Sequence, residues 1–184
     1  MELLETITQG ELVEMCKRGD PAGYTGLYNL HSKEVYNTIY RLVSHTAEAE
    51  DILQESFVAA FQAIAKFEQT GGFRAWIKRI ATNKAIDWLR KKKIRFVELE
   101  PAGVSSAEEE PIDERAFEYK VEEVRRAIDR LPEGYRVIVQ LHVFEGIPQV
   151  EIARMLGMDS NTVKVQYHRA KQKILRTLTK EGSL

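Results

Sequence analysis

Two stretches of this 184-residue chain concentrate side chains that bind phosphate. Residues 74–93 hold eight Lys/Arg (Arg74, Lys78, Arg79, Lys84, Arg90, Lys91, Lys92 and Lys93) against one acid, Asp87, together with both tryptophans of the chain, Trp76 and Trp88. Cations track a phosphate backbone and aromatic rings stack on bases, so a basic segment with interleaved aromatics suits a nucleic acid whose bases are exposed. Core packing competes with that explanation, because Trp76 shares a helical face with Phe73, Ile77 and Ile80. The second stretch is DSNTVKVQYHRAKQKIL, residues 159–175. Val163, Tyr167, Ala170 and Ile174 recur at helical spacing and predict an inward stripe. Lys164, His168 and Lys171 flank it on one side, and Arg169, Lys173 and Arg176 on the other. Alone, this pattern describes a solvated amphipathic helix.

What precedes that helix changes its meaning. In GIPQVEIARMLGMDS, residues Val150, Ile152, Ala153 and Leu156 mark a short helix. Pro148 suits its first turn, where a missing N–H costs little. Gly157 follows the last periodic residue and suits a left-handed helix end. Met158 and Asp159 fill the turn, and Ser160 is expected to cap the basic helix. A short helix, a Gly turn and a longer helix with a polar start make the helix-turn-helix plan, whose second helix faces base edges in the major groove. A helical hairpin with no role on DNA would share the outline.

The formal net charge is −1, which argues against a uniformly basic nucleic-acid protein, yet the charge is unevenly placed. Residues 1–94 hold 13 Lys+Arg and 12 Asp+Glu, residues 95–118 hold 2 and 8, and residues 119–184 hold 12 and 8. An acidic connector therefore joins a near-neutral part to a basic one. Within it, VELEPAGVSSAEEEPIDE (97–114) breaks every periodic pattern and is expected to be a flexible linker. The chain is 43% apolar, enough for a globular core. Cys16 is the single cysteine, so no intrachain disulfide or Cys-rich metal site is expected. Residues 1–20 carry acids and no continuous apolar run, and no stretch reaches the length of a membrane span. A cytoplasmic location follows as the expectation.

The N-terminal part predicts helices over Glu11–Arg18, Ala22–His31, Lys33–Ser44 and from Thr46 as cap to Phe67. The last has Ala49, Leu53, Phe57, Ala60, Ile64 and Phe67 as its buried stripe and Asp51, Gln54 and Glu55 on a polar face. Gly71-Gly72 breaks the chain, and the basic helix runs from Phe73 to about Lys93. The C-terminal part starts near Phe117. RVIVQLHVF (136–144) is β-branched enough for a strand, but Pro132 and Gly146 frame a helix, and a lone strand would lack a partner.

Catalytic constellations are missing from the sequence. It has no Gly-rich phosphate loop, no His-Glu-x-x-His and no G-x-S-x-G. His31, His45, His142 and His168 are scattered. No enzyme, cofactor or metal site is expected.

Three segments together carry a resemblance: AEAEDILQESFVAAF (47–61), FRAWIKRIATNKAIDWLRKKK (73–93) and LPEGYRVIVQLHVFEGIPQVEIARMLGMDSNTVKVQYHRAKQKIL (131–175). The chain resembles the bacterial extracytoplasmic-function (ECF, group IV) RNA polymerase sigma factors of the sigma-70 family. The resemblance implies an all-α fold of two small helical domains joined by the acidic linker. Residues 1–94 would be region 2, 95–118 the linker and 119–184 region 4 with its helix-turn-helix. It implies that Asp51, Gln54 and Glu55 dock on the β′ coiled coil of core polymerase. A solvated helix face is the alternative there. Lys66, Phe73, Arg74, Trp76, Lys78, Arg79, Asn83, Lys84 and Trp88 would read and melt the −10 element. Asn83 would lie near a flipped base, since an amide both donates and accepts. Ser160, Asn161, Thr162, Lys164, Val165, Gln166 and Arg169 would face the −35 element, with Lys171 and Lys173 on phosphates. Further implied partners are the β flap, promoter DNA and an anti-sigma factor, in a stress response. The chain departs from the family's common pattern at Pro148, Asn161 and Gln166, which puts the usual −35 sequence in doubt. A stand-alone helix-turn-helix regulator and a protein-binding helical adaptor are the rival functions.

Overall fold

A computed structural model describes residues 7–68, 72–92 and 121–181. The expected linker, Lys93, and part of the loop between Lys66 and Gly72 lie outside the described residues. The chain divides into two compact units, Met1–Leu89 and Arg90–Leu184. Among the described residues every regular element is helical.

The first unit contains α1 (Gln9–Lys17), α2 (Pro21–Val43), α3 (Thr46–Gln62), a 3₁₀ turn (Ile64–Lys66) and all but the last two residues of α4 (Gly72–Lys91). Thr8 and Glu11 form a reciprocal capping box at the start of α1. Asp20 caps α2, its carboxylate accepting from the Ala22 N–H at 2.9 Å, with Pro21 in the first turn. The two helices expected over 22–44 are one. Leu27, His31, Val35, Thr38, Ile39 and Leu42 are all buried, so the inward stripe runs unbroken through His31 and Ser32, and no Gly or Pro interrupts it. α1 lies close against α2 at Gly23, where a Cβ would come within 2.7 Å of Met15 Cβ and 2.8 Å of the Leu12 carbonyl oxygen.

His45, not Thr46, caps α3, its ring accepting from the Glu48 N–H. The expected stripe of α3 is buried along its length, but the α-helix ends at Gln62 and the 3₁₀ turn carries the chain on to Phe67. An aromatic chain then ties α2, α3 and α4 together. Tyr28 meets Phe57 edge-on at 4.8 Å, Tyr24 meets Phe61 at 4.9 Å, and Phe61 stacks near Phe73 at 6.4 Å.

The second unit contains α5 (Val121–Asp129), α6 (Glu133–Val139), α7 (Gln149–Leu156) and α8 (Ser160–Glu181). The β-branched run after Pro132 is helical, as its flanks predict, but from Gln140 to Phe144 it widens into a π-helix. Ile128, Leu131, Tyr135, Val139 and Ala170 form one core cluster, with Val124, Tyr167 and Ile174 packed on it. Pro148 sits one residue before α7, at the cap itself. Gly157 ends α7 with φ +67°, the left-handed conformation that a Cβ would penalise.

Candidate nucleic-acid interface

On the first unit, the candidate surface is built on α4. Arg79, Asn83, Arg90, Lys91 and Lys92 are exposed, and Lys78, Lys84 and Trp88 are half-buried. Phe73 is different. It is 0% exposed, and its ring meets His31 at 5.5 Å, Phe67 at 6.0 Å and Trp76 at 5.8 Å. Phe73 is therefore core and cannot touch DNA, which corrects the expectation. Trp76 is intermediate; its ring centroid lies 4.9 Å from that of Phe67, and it lines a surface pocket of about 310 Å³. Lys66, Phe67, Glu68, Gly72, Ala75, Trp76 and Arg79 line that pocket. Asn83 lies outside its walls, four residues beyond Arg79 on the exposed side of α4.

Carboxylates from neighbouring helices hold several cations of α4. Glu34 of α2 accepts from Arg74 Nε and Nη2, both at 2.7 Å, and Lys78 Nζ lies 3.5 Å away. The Arg74 hydrogen bonds keep the Glu34 carboxyl below its usual range, against the opposing effect of burial. Lys84 pairs with Glu55 of α3 at 3.2 Å. Glu55 stands with Asp51 and Gln54 on an exposed face, as expected, and Val58 and Gln62 continue that face. Glu34 and Val58 went unrecognised in the sequence. Glu34 is 40 positions from Arg74, and no local spacing signals the pair.

On the second unit, Asp159 caps α8. Its carboxylate accepts from the Asn161 N–H at 2.8 Å and its carbonyl from the Val163 N–H at 3.1 Å. Ser160 is therefore the first helical residue rather than the cap. Asn161, Lys164, Val165, His168 and Arg169 are exposed and recur at i, i+3, i+4, i+7 and i+8, so they share the outer face. Ser160, Thr162 and Lys171 are half-buried at its margins. Lys173 is exposed and lies 6.0 Å from the Tyr135 ring. Gln166 is 1% exposed and lies in the buried stripe between Val163 and Ala170. It faces the core, not a groove, which corrects its assignment as a base reader. His142 braces the motif from inside. Its Nδ1 is 2.9 Å from the Ile147 carbonyl before α7, and its ring meets Tyr167 of α8 edge-on at 4.8 Å.

One all-helical unit with a cationic, aromatic helix and a second with a helix-turn-helix have the features of a nucleic-acid-binding protein. Two family models match in that order: sigma-70 region 2 over residues 27–94 and sigma-70 region 4 over residues 121–174. The RNA polymerase sigma factor SigV of Bacillus subtilis is 33% identical over 152 residues, covering 82% of this chain and 88% of its own. The ECF RNA polymerase sigma factor SigW of the same species is 28% identical over 176 residues, covering 90% and 94%. The chain belongs to the ECF sigma factors of the sigma-70 family. Members of this family direct transcription initiation and are not enzymes. Two solved structures share the fold. CnrH, in complex with the cytosolic domain of CnrY, has a TM-score of 0.50 at 22% identity, covering 91% of this chain and 95% of its own. The sigma factor RpoE of Bartonella quintana, in complex with the anti-sigma factor NepR, has a TM-score of 0.51 at 19% identity, covering 85% and 96%. Among the described residues no helix is long and apolar enough to cross a membrane.

Proposed function

We propose that residues 1–94 act as region 2, 95–118 as a connector and 119–184 as region 4, and that the two domains read the −10 and −35 elements of one promoter. The observation that carries the −10 half is the open pocket at the start of α4. Its lining joins the aromatic side chains of Phe67 and Trp76 with two cations, Lys66 and Arg79, against one acid, Glu68. A base drawn out of a melting duplex stacks on such a wall while its phosphates meet the cations. Asn83, one turn further along α4, reaches the adjacent nucleotide, and Arg74, Lys78, Lys84 and Trp88 extend the path. Phe73 serves by holding Trp76 in place.

On region 4, the outer face of α8 enters the major groove. Asn161, Lys164, Val165 and Arg169 face base edges, with Ser160 and Thr162 at the helix start, and Lys171 and Lys173 on phosphates. Asp51, Gln54 and Glu55 dock on the β′ coiled coil, and region 4 meets the β flap. An anti-sigma factor is the natural regulator, as for the Bartonella relative of similar fold. The protein works in the cytoplasm, where polymerase is, within a stress response.

The test mixes the full chain with bacterial core polymerase and a library of promoter-like duplexes. Initiation from a defined subset, absent without the chain, is the expected result. Failure to bind core, with tight duplex binding by the chain alone, would overturn it in favour of a stand-alone regulator.

A further inference from the structure

Glu34 stands apart from the residues assigned above, yet it touches two of them. It projects from α2 toward α4, and its side chain is 35% exposed. Both of its oxygens grip the Arg74 guanidinium at 2.7 Å, and Oε1 also faces Lys78 Nζ at 3.5 Å. Arg74 and Lys78 are one helical turn apart, so they present to the same side of α4. One carboxylate thus meets two adjacent cations. Arg74 nonetheless keeps 65% of its side-chain surface open.

Sequence-independent affinity for a nucleic acid grows with the number of cations that meet phosphates and release counterions. Specific contacts depend on where each donor is held. A guanidinium that is charge-compensated and fixed at two points contributes little to the first and retains its part in the second. We propose that Glu34 is a positioning residue that sets selectivity for DNA: it offsets charge on the −10 face, so phosphate attraction alone holds DNA weakly, and it fixes Arg74 in one arrangement. This inference rests on α4 being the DNA-binding face. The floor of the cluster suits the role. His31, one turn before Glu34, is buried against Phe73, so the grip sits on packed core rather than on a mobile surface.

The test uses the full chain and a fluorescent oligothymidylate, a single strand with no promoter sequence. Glu34→Gln keeps the size and removes the charge. It should tighten oligothymidylate binding roughly threefold to tenfold and steepen the log–log salt slope by about 0.7 per cation released to a phosphate. With core polymerase, the same variant should lose discrimination between an active promoter and its −10-scrambled version. Glu34→Asp, which keeps the charge, should hold the wild-type slope. An unchanged or weakened affinity for Glu34→Gln with an unchanged slope overturns the role of Glu34, provided that the double variant Arg74→Ala/Lys78→Ala weakens binding. Should that double variant bind as wild type in both backgrounds, α4 is not the DNA face, and both readings fall together. Circular dichroism of each variant separates these results from loss of fold.

Discussion

Gln166→Ala separates what α8 displays from what it buries. Its side chain is 1% exposed and follows Val163 and precedes Ala170 in the inward stripe. Truncation removes one methylene and the amide from a packed site. The buried methylene contributes about 0.8 kcal/mol, and the space vacated by the amide adds a cavity cost. A loss of about 1–3 kcal/mol is the expected size for such a core change. For a unit of roughly 60 residues that lowers Tm by roughly 5–20 °C. A base-reading glutamine would behave in the opposite way. Its removal would leave Tm unchanged and cost about 1–3 kcal/mol of discrimination at one base pair. Two measurements decide the matter: thermal denaturation of the full chain followed by circular dichroism, and transcription with core polymerase from promoters varied at every −35 position. The structure requires a lowered Tm with an unchanged base preference. An unchanged Tm with a tenfold loss of preference at a single −35 position would refute the inward placement.

Three further outcomes follow from the packing. Gly23→Ala drives a Cβ to 2.8 Å from the Cys16 nitrogen and the Leu12 oxygen, so α1 must move off α2; the expected destabilisation is about 1–3 kcal/mol, read by denaturant unfolding, with early proteolysis at the α1–α2 turn. Gly157→Ala places a Cβ at φ +67° and should cost about 1 kcal/mol of second-unit stability, visible as a lower Tm with −35 preferences retained. His31 has its pKa lowered, first by burial, with the nearby Arg74 charge adding to the effect and Glu34 opposing it. The folded state therefore favours the neutral ring, and stability is fully present above the unfolded pKa of about 6.5. It should fall as pH drops from there toward the lowered folded value, because the unfolded chain binds the proton first. Urea titrations between pH 7.5 and 5 should show that slope, and His31→Leu should flatten it; an identical slope in the variant would remove His31 as the cause.

The helix-turn-helix was legible because its signals are local. Gly157 marks the turn, the apolar spacing of 150–156 and 163–174 marks the helices, and both are set by backbone sterics and helical period. The Asp51–Glu55 face and the cations of α4 were legible for the same reason. Capping was less so: Asp159 and Ser160 are adjacent residues that cap about equally well, and His45 falls outside the usual capping set, which made its neighbour Thr46 the better local candidate. The continuity of α2 was missed because His31 and Ser32 read as polar, and only the packing of His31 against Phe73 shows that position to be inward.

By itself, then, the sequence determined the helical class, the acidic division between two parts, the motif in the second and the family to which the chain belongs. Tertiary structure alone decided which members of an amphipathic set face inward. Phe73 and Gln166 have residue types and positions compatible with either face, and burial against α2, α3 or the second-unit core assigns them. It also decided which charges meet. The Glu34–Arg74 grip spans 40 positions, and the Lys84–Glu55 pair 29, and such pairs arise only when separate helices are packed side by side. Local periodicity specifies a face of one helix, whereas the charge that face presents to a partner depends on what its neighbours bring to it.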